Sequence, residues 1–250
     1  MSIEARSVDT IVVRGGMAGL PMALREARHG PTDLVEPGEL GGTCLNRGCI
    51  PTKTMIHSAK VAHLARRARE FGVETGEIRV DLRAVVERKN RVLTSIRDGS
   101  YRAVDLADDV TLVKGYARFV DERALQVDGI ACRAETTVIN TGARPSLPDI
   151  PGLGESGYLT STEALDLVEV PEHLIVVGGG YVGCEFAQMF RRFGSEVSLL
   201  QRPQRLLPEE DPEVSQVIEA VFVEEGINVR TGEGMVAVNR HGDGSVEVVT

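Results

Sequence analysis

Two cysteines separated by four residues, Cys44 and Cys49, are the part of this sequence best suited to chemistry. On a regular helix, residues five apart place their Cα atoms about 8.6 Å apart. A disulfide tolerates roughly 4.4–6.8 Å, so a bond between these sulfurs requires at least one cysteine to leave helical geometry. Three glycines supply the backbone freedom for such a turn, at Gly41, Gly42 and Gly48.

The pair is compatible with a redox disulfide, a structural disulfide or half of a metal site. A zinc site would need two more ligands, and Cys132, Cys184 and the five histidines show no ligand-like spacing. Pro51 fits the first turn of a helix, and a cysteine near a helix N-terminus has its thiolate favoured by the helix dipole. We therefore predict a reactive pair and no metal site.

Composition bounds the class of protein. The chain has 250 residues, 42% hydrophobic and 26% charged, which is typical of a globular protein with room for two domains. Its formal net charge of -9 argues against nucleic acid and anionic membranes as partners. Neither an apolar run of 18 residues nor a signal-peptide pattern at the start is present, which predicts a cytoplasmic location. In that compartment a paired-cysteine motif favours catalysis or metal binding over a structural link.

The chain contains an internal repeat. Residues Ile11–Gly19 and Ile175–Gly183 superpose at an offset of 164 residues, each as an apolar run followed by a glycine turn. A helix-like stretch follows, ending at Gly30 or Gly194, and then a second apolar run. This βαβ pattern predicts an α/β fold with two Rossmann-like dinucleotide-binding units built on parallel sheets.

Each glycine of the repeat has its own physical role. The first permits the tight turn, the second lets a pyrophosphate approach the backbone, and the third lets helix pack on strand. In the first copy, Arg14 replaces the first glycine, which is Gly178 in the second copy. We expect this cation either to weaken binding of the dinucleotide or distort the loop, or to point to solvent or pair with a phosphate. The first copy is also one residue short before Glu36, which either reverses the faces of the strand's side chains or is absorbed by the loop at Pro31.

The ends of the second strands predict cofactor choice. Glu36 can accept hydrogen bonds from a ribose diol. Gln201 stands at the matching place in the second copy, close to Arg202 and Arg205. An amide with two cations suits a 2′-phosphate, which favours NADPH over NADH.

The remaining elements complete the expected architecture. Two helices are predicted between Lys60 and Ala107, with a break near 71–76. Val110–Val113, Ala117–Val120 and Ala124–Val127 are predicted to form a small antiparallel meander. A strand from Thr137 follows, and prolines and glycines near residue 150 predict a boundary between a first domain, 1–150, and a second, 151–250. A helix over 211–225 is followed by three predicted strands, at 227–230, 235–238 and 246–249.

The segment Gly41–Lys53 resembles the active-site stretch of the pyridine nucleotide-disulfide oxidoreductases, flavoenzymes that include dihydrolipoamide dehydrogenase and mercuric reductase. Two further segments, Leu159–Thr162 and Gln188–Gly194, are most similar to mercuric reductase-like, FAD-containing members. The resemblance implies an FAD-binding domain at 1–150 and an NAD(P)-binding domain at 151–250, each with a small antiparallel meander. It also implies that a C-terminal dimerisation domain is absent, since family members continue well past Thr250 and are homodimers.

The resemblance implies a catalytic role for four residues. Electrons pass from NAD(P)H through FAD to the Cys44–Cys49 disulfide, with Cys49 as the flavin-side thiol and Cys44 as the interchange thiol. Lys53 matches the lysine near the flavin, and Glu185 matches the acid that pairs with it and joins the two domains. Candidate cofactor-binding residues are Gly16, Gly19, Glu36, Gly42, Thr43, Lys53, Gly115, Thr141, Gly142, Gly178, Gly180, Tyr181, Val182, Gly183, Gln201, Arg202 and Arg205.

Several alternatives stay open at this point. The electron acceptor is a small disulfide, a quinone or a metal ion, and mercury is disfavoured because true mercuric reductases add a C-terminal cysteine pair. The His–Glu acid–base pair of the family dimerisation domain has no assignable counterpart among these histidines. A shortened, non-catalytic nucleotide-binding protein impaired in FAD binding by Arg14 is the main competitor. A metal-trafficking protein using Cys44 and Cys49 is a third hypothesis.

Overall fold

The computed structural model describes residues 6–250, which form two compact units. Unit 1 holds the described residues up to Pro51 together with Asn90–Arg144. Unit 2 holds Thr52–Lys89 and Pro145–Thr250, so the chain passes between the units three times. The assignment of one cofactor to 1–150 and the other to 151–250 stays a prediction.

Helices and strands alternate along much of the chain. The helices are α1 (Gly19–Glu26), α2 (Gly42–Arg47), α3 (Cys49–Arg66), α4 (Leu82–Asp105), α5 (Ser161–Ala164), α6 (Tyr181–Phe193) and α7 (Pro212–Glu224). The strands are β1 (Arg6–Val13), β2 (Thr32–Val35), β3 (Val110–Val113), β4 (Ala117–Asp121), β5 (Ala124–Val127), β6 (Ile130–Ile139), β7 (His173–Val177), β8 (Glu196–Gln201), β9 (Asn228–Thr231), β10 (Ala237–Arg240) and β11 (Val246–Val249). Between residues 6 and 250, none of the helices combines the length and hydrophobicity required to cross a bilayer.

Unit 1 is built on one sheet with the strand order β3-β2-β1-β6-β5-β4. The first four strands run parallel, and β5 and β4 continue the sheet as antiparallel strands. The prediction that Val110–Val113 belongs to the meander is wrong, because this strand pairs in parallel with β2. Its Val110 and Leu112 pack on the cluster formed by Val12 and Leu34, so burial draws it to the parallel edge. The meander consists of β4, β5 and β6.

Both faces of β1 are buried, as expected for a central parallel strand. Ile11 and Val13 face a cluster with Leu125 and Val127, whereas Val12 faces Leu34 and helix α1. Aliphatic side chains supply nearly all of this core, which agrees with an aromatic content of 4%.

Of the two alternatives for the missing residue of the first copy, the structure shows that the loop before β2 absorbs the change. Thr10 pairs with Thr32 in unit 1, and the equivalent Leu174 pairs with Val197 in unit 2. The strand registers therefore agree in the two copies, and the deletion falls between Gly30 and Thr32. No side chain of β2 changes faces as a result.

Unit 2 contains the parallel sheet β7-β8-β9 and an antiparallel hairpin, β10-β11. Its core centres on Phe186, Phe190 and Phe193 of α6, which pack with Met55 of α3 and Val86 of α4. The predicted break between α3 and α4 is confirmed: a 3₁₀ turn at Ala68–Phe71 and an extended stretch precede α4.

Candidate functional site

The glycine turns after β1 and β7 have the same geometry in the two units. Their first positions both adopt the left-handed conformation, with φ of 82° at Arg14 and 106° at Gly178. The next amide donates to the side chain at the end of the second strand: Gly15 N lies 2.9 Å from Glu36 Oε2, and Gly179 N lies 2.8 Å from Gln201 Oε1. The repeat seen in the sequence is therefore a structural repeat at the level of single hydrogen bonds.

The third glycines are forced by packing. A Cβ atom on Gly19 would lie 1.9 Å from the Arg14 carbonyl oxygen, and one on Gly183 would lie 1.8 Å from that of Gly178. These distances are far below van der Waals contact, so only glycine lets each helix begin this close to the strand. The assignment of helix–strand packing to these two glycines is confirmed.

The second glycines differ in their surroundings. A Cβ on Gly180 would meet nothing within 4 Å, whereas one on Gly16 would be in ordinary contact with Asn140 Nδ2 at 3.6 Å and Gly42 Cα at 3.7 Å. Neither α1 nor α6 has a side-chain cap or an acidic residue in its first turn. The N-terminus of each helix therefore lacks a side-chain acceptor for its backbone N–H groups, which suits the pyrophosphate of a dinucleotide. The residues present fit such a group.

Arg14 turns its side chain towards the end of β2. Its Nη1 lies 3.2 Å from Glu36 Oε1, and its guanidinium carbon lies 5.4 Å from the centre of the Tyr116 ring. The side chain is 34% exposed, whereas that of Glu36 is only 5% exposed. Arg14 thus combines a strained, left-handed backbone with an ion pair to Glu36, the predicted ribose acceptor.

Asn140, which sequence reasoning missed, supports the same turn. Its Nδ2 donates to the Arg14 carbonyl oxygen over 3.2 Å, and its backbone N–H donates to the carbonyl of Val13. The sequence feature that could have identified Asn140 is its position at the end of β6, directly before the predicted residues Thr141 and Gly142. Those two residues are exposed, and Gly142 has a φ of 70°.

A helix break separates the two cysteines, as predicted. α2 ends at Arg47, Gly48 has φ −137° and ψ −113°, and α3 begins at Cys49. Cys44 is partly buried, Cys49 is exposed, and both are free thiols. Burial and the neighbouring Cys49 thiol raise the pKa of Cys44.

The cysteine segment contacts the first glycine turn directly. A Cβ on Gly42 would lie 2.8 Å from Gly16 Cα, and the Gly41 amide donates to the Gly15 carbonyl over 2.8 Å. Gly41 and Gly42 both have positive φ, at 99° and 57°. Glycine at 42 thus brings the cysteines to the edge of the proposed FAD-binding turn. Thr43, the next candidate, is exposed.

Gly115, another candidate, lies in the turn between β3 and β4. It is buried with a φ of 142°, and a Cβ there would lie 2.5 Å from the Asp128 carboxylate. The structure gives it a turn-forming role, and its contact with a cofactor stays a prediction.

Lys53 of α3 and Glu185 of α6 form the predicted ion pair. Both residues belong to unit 2, so the pair joins two helices inside one compact unit rather than joining two domains. The Lys53 side chain is 61% exposed. The pair borders a cavity of about 290 Å³, which is lined by Lys53, Ile56, Ala59, Glu185, Gln188, Met189 and Arg192.

The predicted nicotinamide residues lie around the second turn. Tyr181 and Val182 are exposed, and the Tyr181 hydroxyl donates to Glu210 Oε1 over 2.6 Å, a contact that raises the pKa of Tyr181. Gln201 Nε2 donates to the Arg205 carbonyl, whereas the Arg205 guanidinium donates to the Pro208 carbonyl over 2.7 Å.

Arg202 is exposed. Among the described residues, no group of three or more His, Cys, Asp and Glu side chains is arranged to hold a metal ion.

Known proteins share both the sequence and the fold. Mercuric reductases from Lysinibacillus sphaericus and Bacillus cereus are 37% and 41% identical over 244 and 238 residues, covering 96% and 94% of this chain but 44% and 37% of their own length. A dihydrolipoyl dehydrogenase from Bacillus subtilis (strain 168) is 36% identical over 237 residues, covering 92% of this chain and 51% of its own length.

The HOCl-induced flavoprotein disulfide reductase RclA from Escherichia coli superposes with a TM-score of 0.85 at 30% identity, covering 97% of this chain and 53% of its own. The chain thus spans about half the length of the curated relatives it matches, or less. The family model described as pyridine nucleotide-disulphide oxidoreductase matches residues 8–250, which confirms the resemblance. The chain therefore belongs to the pyridine nucleotide-disulphide oxidoreductase family.

Proposed function

We propose that this chain acts as an FAD-dependent NAD(P)H:disulfide oxidoreductase in which electrons reach a Cys44–Cys49 disulfide. The observation that carries the proposal is the contact between the cysteine segment and the first glycine turn, where a Cβ on Gly42 would lie 2.8 Å from Gly16 Cα. Electron transfer from FAD to a disulfide requires the cysteines to lie beside the bound cofactor, and the contact of their segment with this turn supports that placement. Membership of the family supports the same assignment.

The first turn would hold FAD through its backbone. Gly16 and the uncapped first turn of α1 would bind the pyrophosphate, and Glu36 would accept the ribose hydroxyls. When bound, FAD supplies a ring that takes up two electrons from a reduced nicotinamide and delivers them to a disulfide. Thr43, Gly115, Thr141 and Gly142 complete the proposed set.

The cysteines would reduce the acceptor by thiol–disulfide exchange. The Cys44 thiolate attacks one sulfur of a small disulfide, which breaks that S–S bond, forms a mixed disulfide and releases the first substrate thiol. The Cys49 thiolate then attacks Cys44 Sγ, which restores the Cys44–Cys49 disulfide and releases the second thiol. Because burial raises the pKa of Cys44, a base must remove its proton before the first step. A quinone or metal-ion acceptor would need no mixed disulfide.

Lys53 and Glu185 would position charge next to the cofactors. Lys53 lies one helical turn after Cys49 on α3, and Glu185 fixes its ammonium group. We propose NADPH rather than NADH for the second turn, since Gln201 leaves no carboxylate to repel a 2′-phosphate and the exposed Arg202 is free to approach one. Arg205 would first have to release the Pro208 carbonyl.

An absorption spectrum of the purified protein tests the proposal. After incubation with FAD and gel filtration, we expect visible flavin bands that bleach anaerobically with NADPH, more readily than with NADH. In Cys44→Ser and Cys49→Ser, the flavin should still bleach, but reduction of a small disulfide such as the Ellman reagent should stop. Cys132→Ala, a change at a cysteine buried in β6, serves as the matched control. A protein that stays colourless would overturn the proposal.

One observation favours a second candidate, a nucleotide-binding protein without catalysis. Glu36, the proposed ribose acceptor, is already paired with Arg14. This candidate predicts a colourless protein that still binds NADPH through its second turn. Isothermal titration with NADPH and with FAD distinguishes the two candidates, because only the oxidoreductase binds both.

A further inference from the structure

We propose that Arg14 is an internal competitor for the adenosine end of FAD: its guanidinium occupies the ribose-binding side of Glu36 and must be displaced before the cofactor is fully bound. This inference rests on the proposed function, because it presupposes that the turn after β1 holds FAD. It adds a determinant of cofactor affinity that lies in this chain's departure from the glycine pattern.

The Glu36 carboxylate has little remaining capacity. A carboxylate offers about four acceptor positions on its two oxygens. Glu36 Oε2 accepts from Gly15 N over 2.9 Å. Glu36 Oε1 accepts from Gly38 N over 2.8 Å and from Arg14 Nη1 over 3.2 Å. A single position is left, whereas a ribose diol brings two hydroxyl donors.

The surroundings of Arg14 hold its side chain in this place. The backbone at Arg14 is left-handed, and Asn140 donates to its carbonyl oxygen, so the side chain leaves the turn in a set direction. The guanidinium lies 5.4 Å from the centre of the Tyr116 ring, within the range of a cation–π interaction. Tyr116 itself is 69% exposed, so both the ring and the guanidinium beside it are open to an entering ligand. The Glu36 carboxylate and the Tyr116 ring thus both contact the Arg14 guanidinium, which an adenosine binding at Glu36 would have to displace.

The second unit provides an internal comparison. Its turn has Gly178 at the matching position, and no side chain from that position reaches Gln201. The hydrogen bond from the second amide of the turn is retained in both units, at 2.9 and 2.8 Å. The support of the turn by the strand-end side chain therefore does not require a cation at position 14. The Arg14–Glu36 contact is an addition to the turn, and it can be removed without removing that support.

The test is a double-mutant cycle on FAD affinity. The dissociation constant is measured by flavin fluorescence for the unchanged protein, Arg14→Gln, Glu36→Gln and the double variant. Arg14→Gln keeps a polar side chain in the left-handed turn but removes the charge and the guanidinium that donates to Glu36 Oε1. We expect it to bind FAD about tenfold more tightly, which corresponds to about 1.4 kcal/mol, because one acceptor position becomes free. In the Glu36→Gln background, the same change should have an effect of less than about twofold.

Two controls make the result specific. Arg28→Gln removes the same charge from an exposed position of unit 1 and should leave the affinity unchanged. Arg14→Gly also relieves the backbone strain and keeps the test available if Arg14→Gln unfolds, since Gly178 occupies the same conformation in unit 2. Circular dichroism and thermal unfolding confirm that each variant is folded.

The outcomes separate the inference from the function on which it rests. If none of the folded proteins, including both Arg14 variants, binds FAD, the proposed function fails and the inference falls with it. If the unchanged protein binds FAD and Arg14→Gln binds it equally or more weakly, the function stands and the inference is overturned, since Arg14 would then be neutral or itself a ligand of the cofactor. An equal gain in both Glu36 backgrounds would overturn it as well, because the effect would not pass through the carboxylate.

Discussion

Alanine at two glycines of the second turn should separate fold stability from nucleotide binding. Gly183→Ala places a Cβ atom 1.8 Å from the Gly178 carbonyl oxygen, whereas Gly180→Ala places one where nothing lies within 4 Å. Both positions have backbone angles that alanine can adopt, since Gly183 is helical and Gly180 has φ −80° and ψ −173°. The two variants thus add the same methyl group three residues apart, in crowded and in open surroundings.

The magnitude follows from the displacement required. Ordinary contact begins at 3.4 Å, so α6 must move away from the turn by about 1.6 Å to admit the methyl group of Gly183→Ala. Forcing an extra methyl group into a packed site costs about 1–3 kcal/mol, and the better helix propensity of alanine returns up to about 1 kcal/mol. We expect a net loss of about 1–2 kcal/mol, or about 2–4 °C of Tm for each kcal/mol. Gly180→Ala should stay within about 0.5 kcal/mol of the unchanged protein.

Urea unfolding followed by circular dichroism measures the stability, and isothermal titration with NADPH measures the binding. Gly180→Ala should keep its stability but lose at least about tenfold in NADPH affinity, because its methyl group occupies the space proposed for the pyrophosphate. Equal destabilisation by the two variants would refute the packing argument. Unchanged NADPH affinity in Gly180→Ala would refute the placement of the pyrophosphate.

Three further predictions concern charges and thiols. Burial raises the pKa of Glu225, but Arg192 outweighs it and holds this pKa below its ordinary 4.5, so the pair stabilises the fold above that pH and the stabilisation is lost as pH falls through the lowered pKa. Arg192→Ala should therefore cost about 3 kcal/mol at pH 7 and flatten the loss of stability on acidification, measured by urea unfolding at pH 7 and pH 4. Iodoacetamide at pH 7 should label the exposed Cys49 long before Cys184, whose pKa burial raises to about 11, and peptide mass spectrometry reports the order; early labelling of Cys184 would contradict its burial. Lys53→Met should change the free energy of unfolding by less than about 1 kcal/mol, because its ion pair is exposed, yet slow flavin reduction by NADPH in a stopped-flow assay; an unchanged rate would remove Lys53 from the proposed site.

Local patterns allowed much of this structure to be predicted. Periodicity and glycine spacing identified both βαβ repeats and the helix break between Cys44 and Cys49. These features depend on residues close in the chain, or on a pattern that the chain carries twice. The ion pair of Lys53 with Glu185 joins residues far apart in the chain, and only the family resemblance pointed to it. The prediction for Val110–Val113 failed because a short apolar strand has no local mark of the neighbour it will pair with.

Long-range contacts explain the other omissions. Asn140 lies 126 residues from Arg14, and only the pairing of β6 with β1 brings its amide to the turn. The raised pKa of Cys44 was not predictable from the sequence, because the burial that raises it depends on the folded surroundings. The direction of the Arg14 side chain could not be predicted either, because it depends on contacts with two residues distant in the chain, Glu36 and Tyr116.

The interleaved course of the chain limits how its parts can be separated. Residues Thr52–Lys89 belong to unit 2, although the sequence on either side of them belongs to unit 1. Their Met55, Ala59, Leu82 and Val86 side chains are completed by apolar partners from residues 164–227. A protein truncated near residue 150 would therefore expose the apolar faces of the helices in Thr52–Lys89, and we expect that fragment to be insoluble. Recombination at a single crossover therefore cannot exchange one unit for that of a relative. A chimaera would need junctions at all three places where the chain passes between the units.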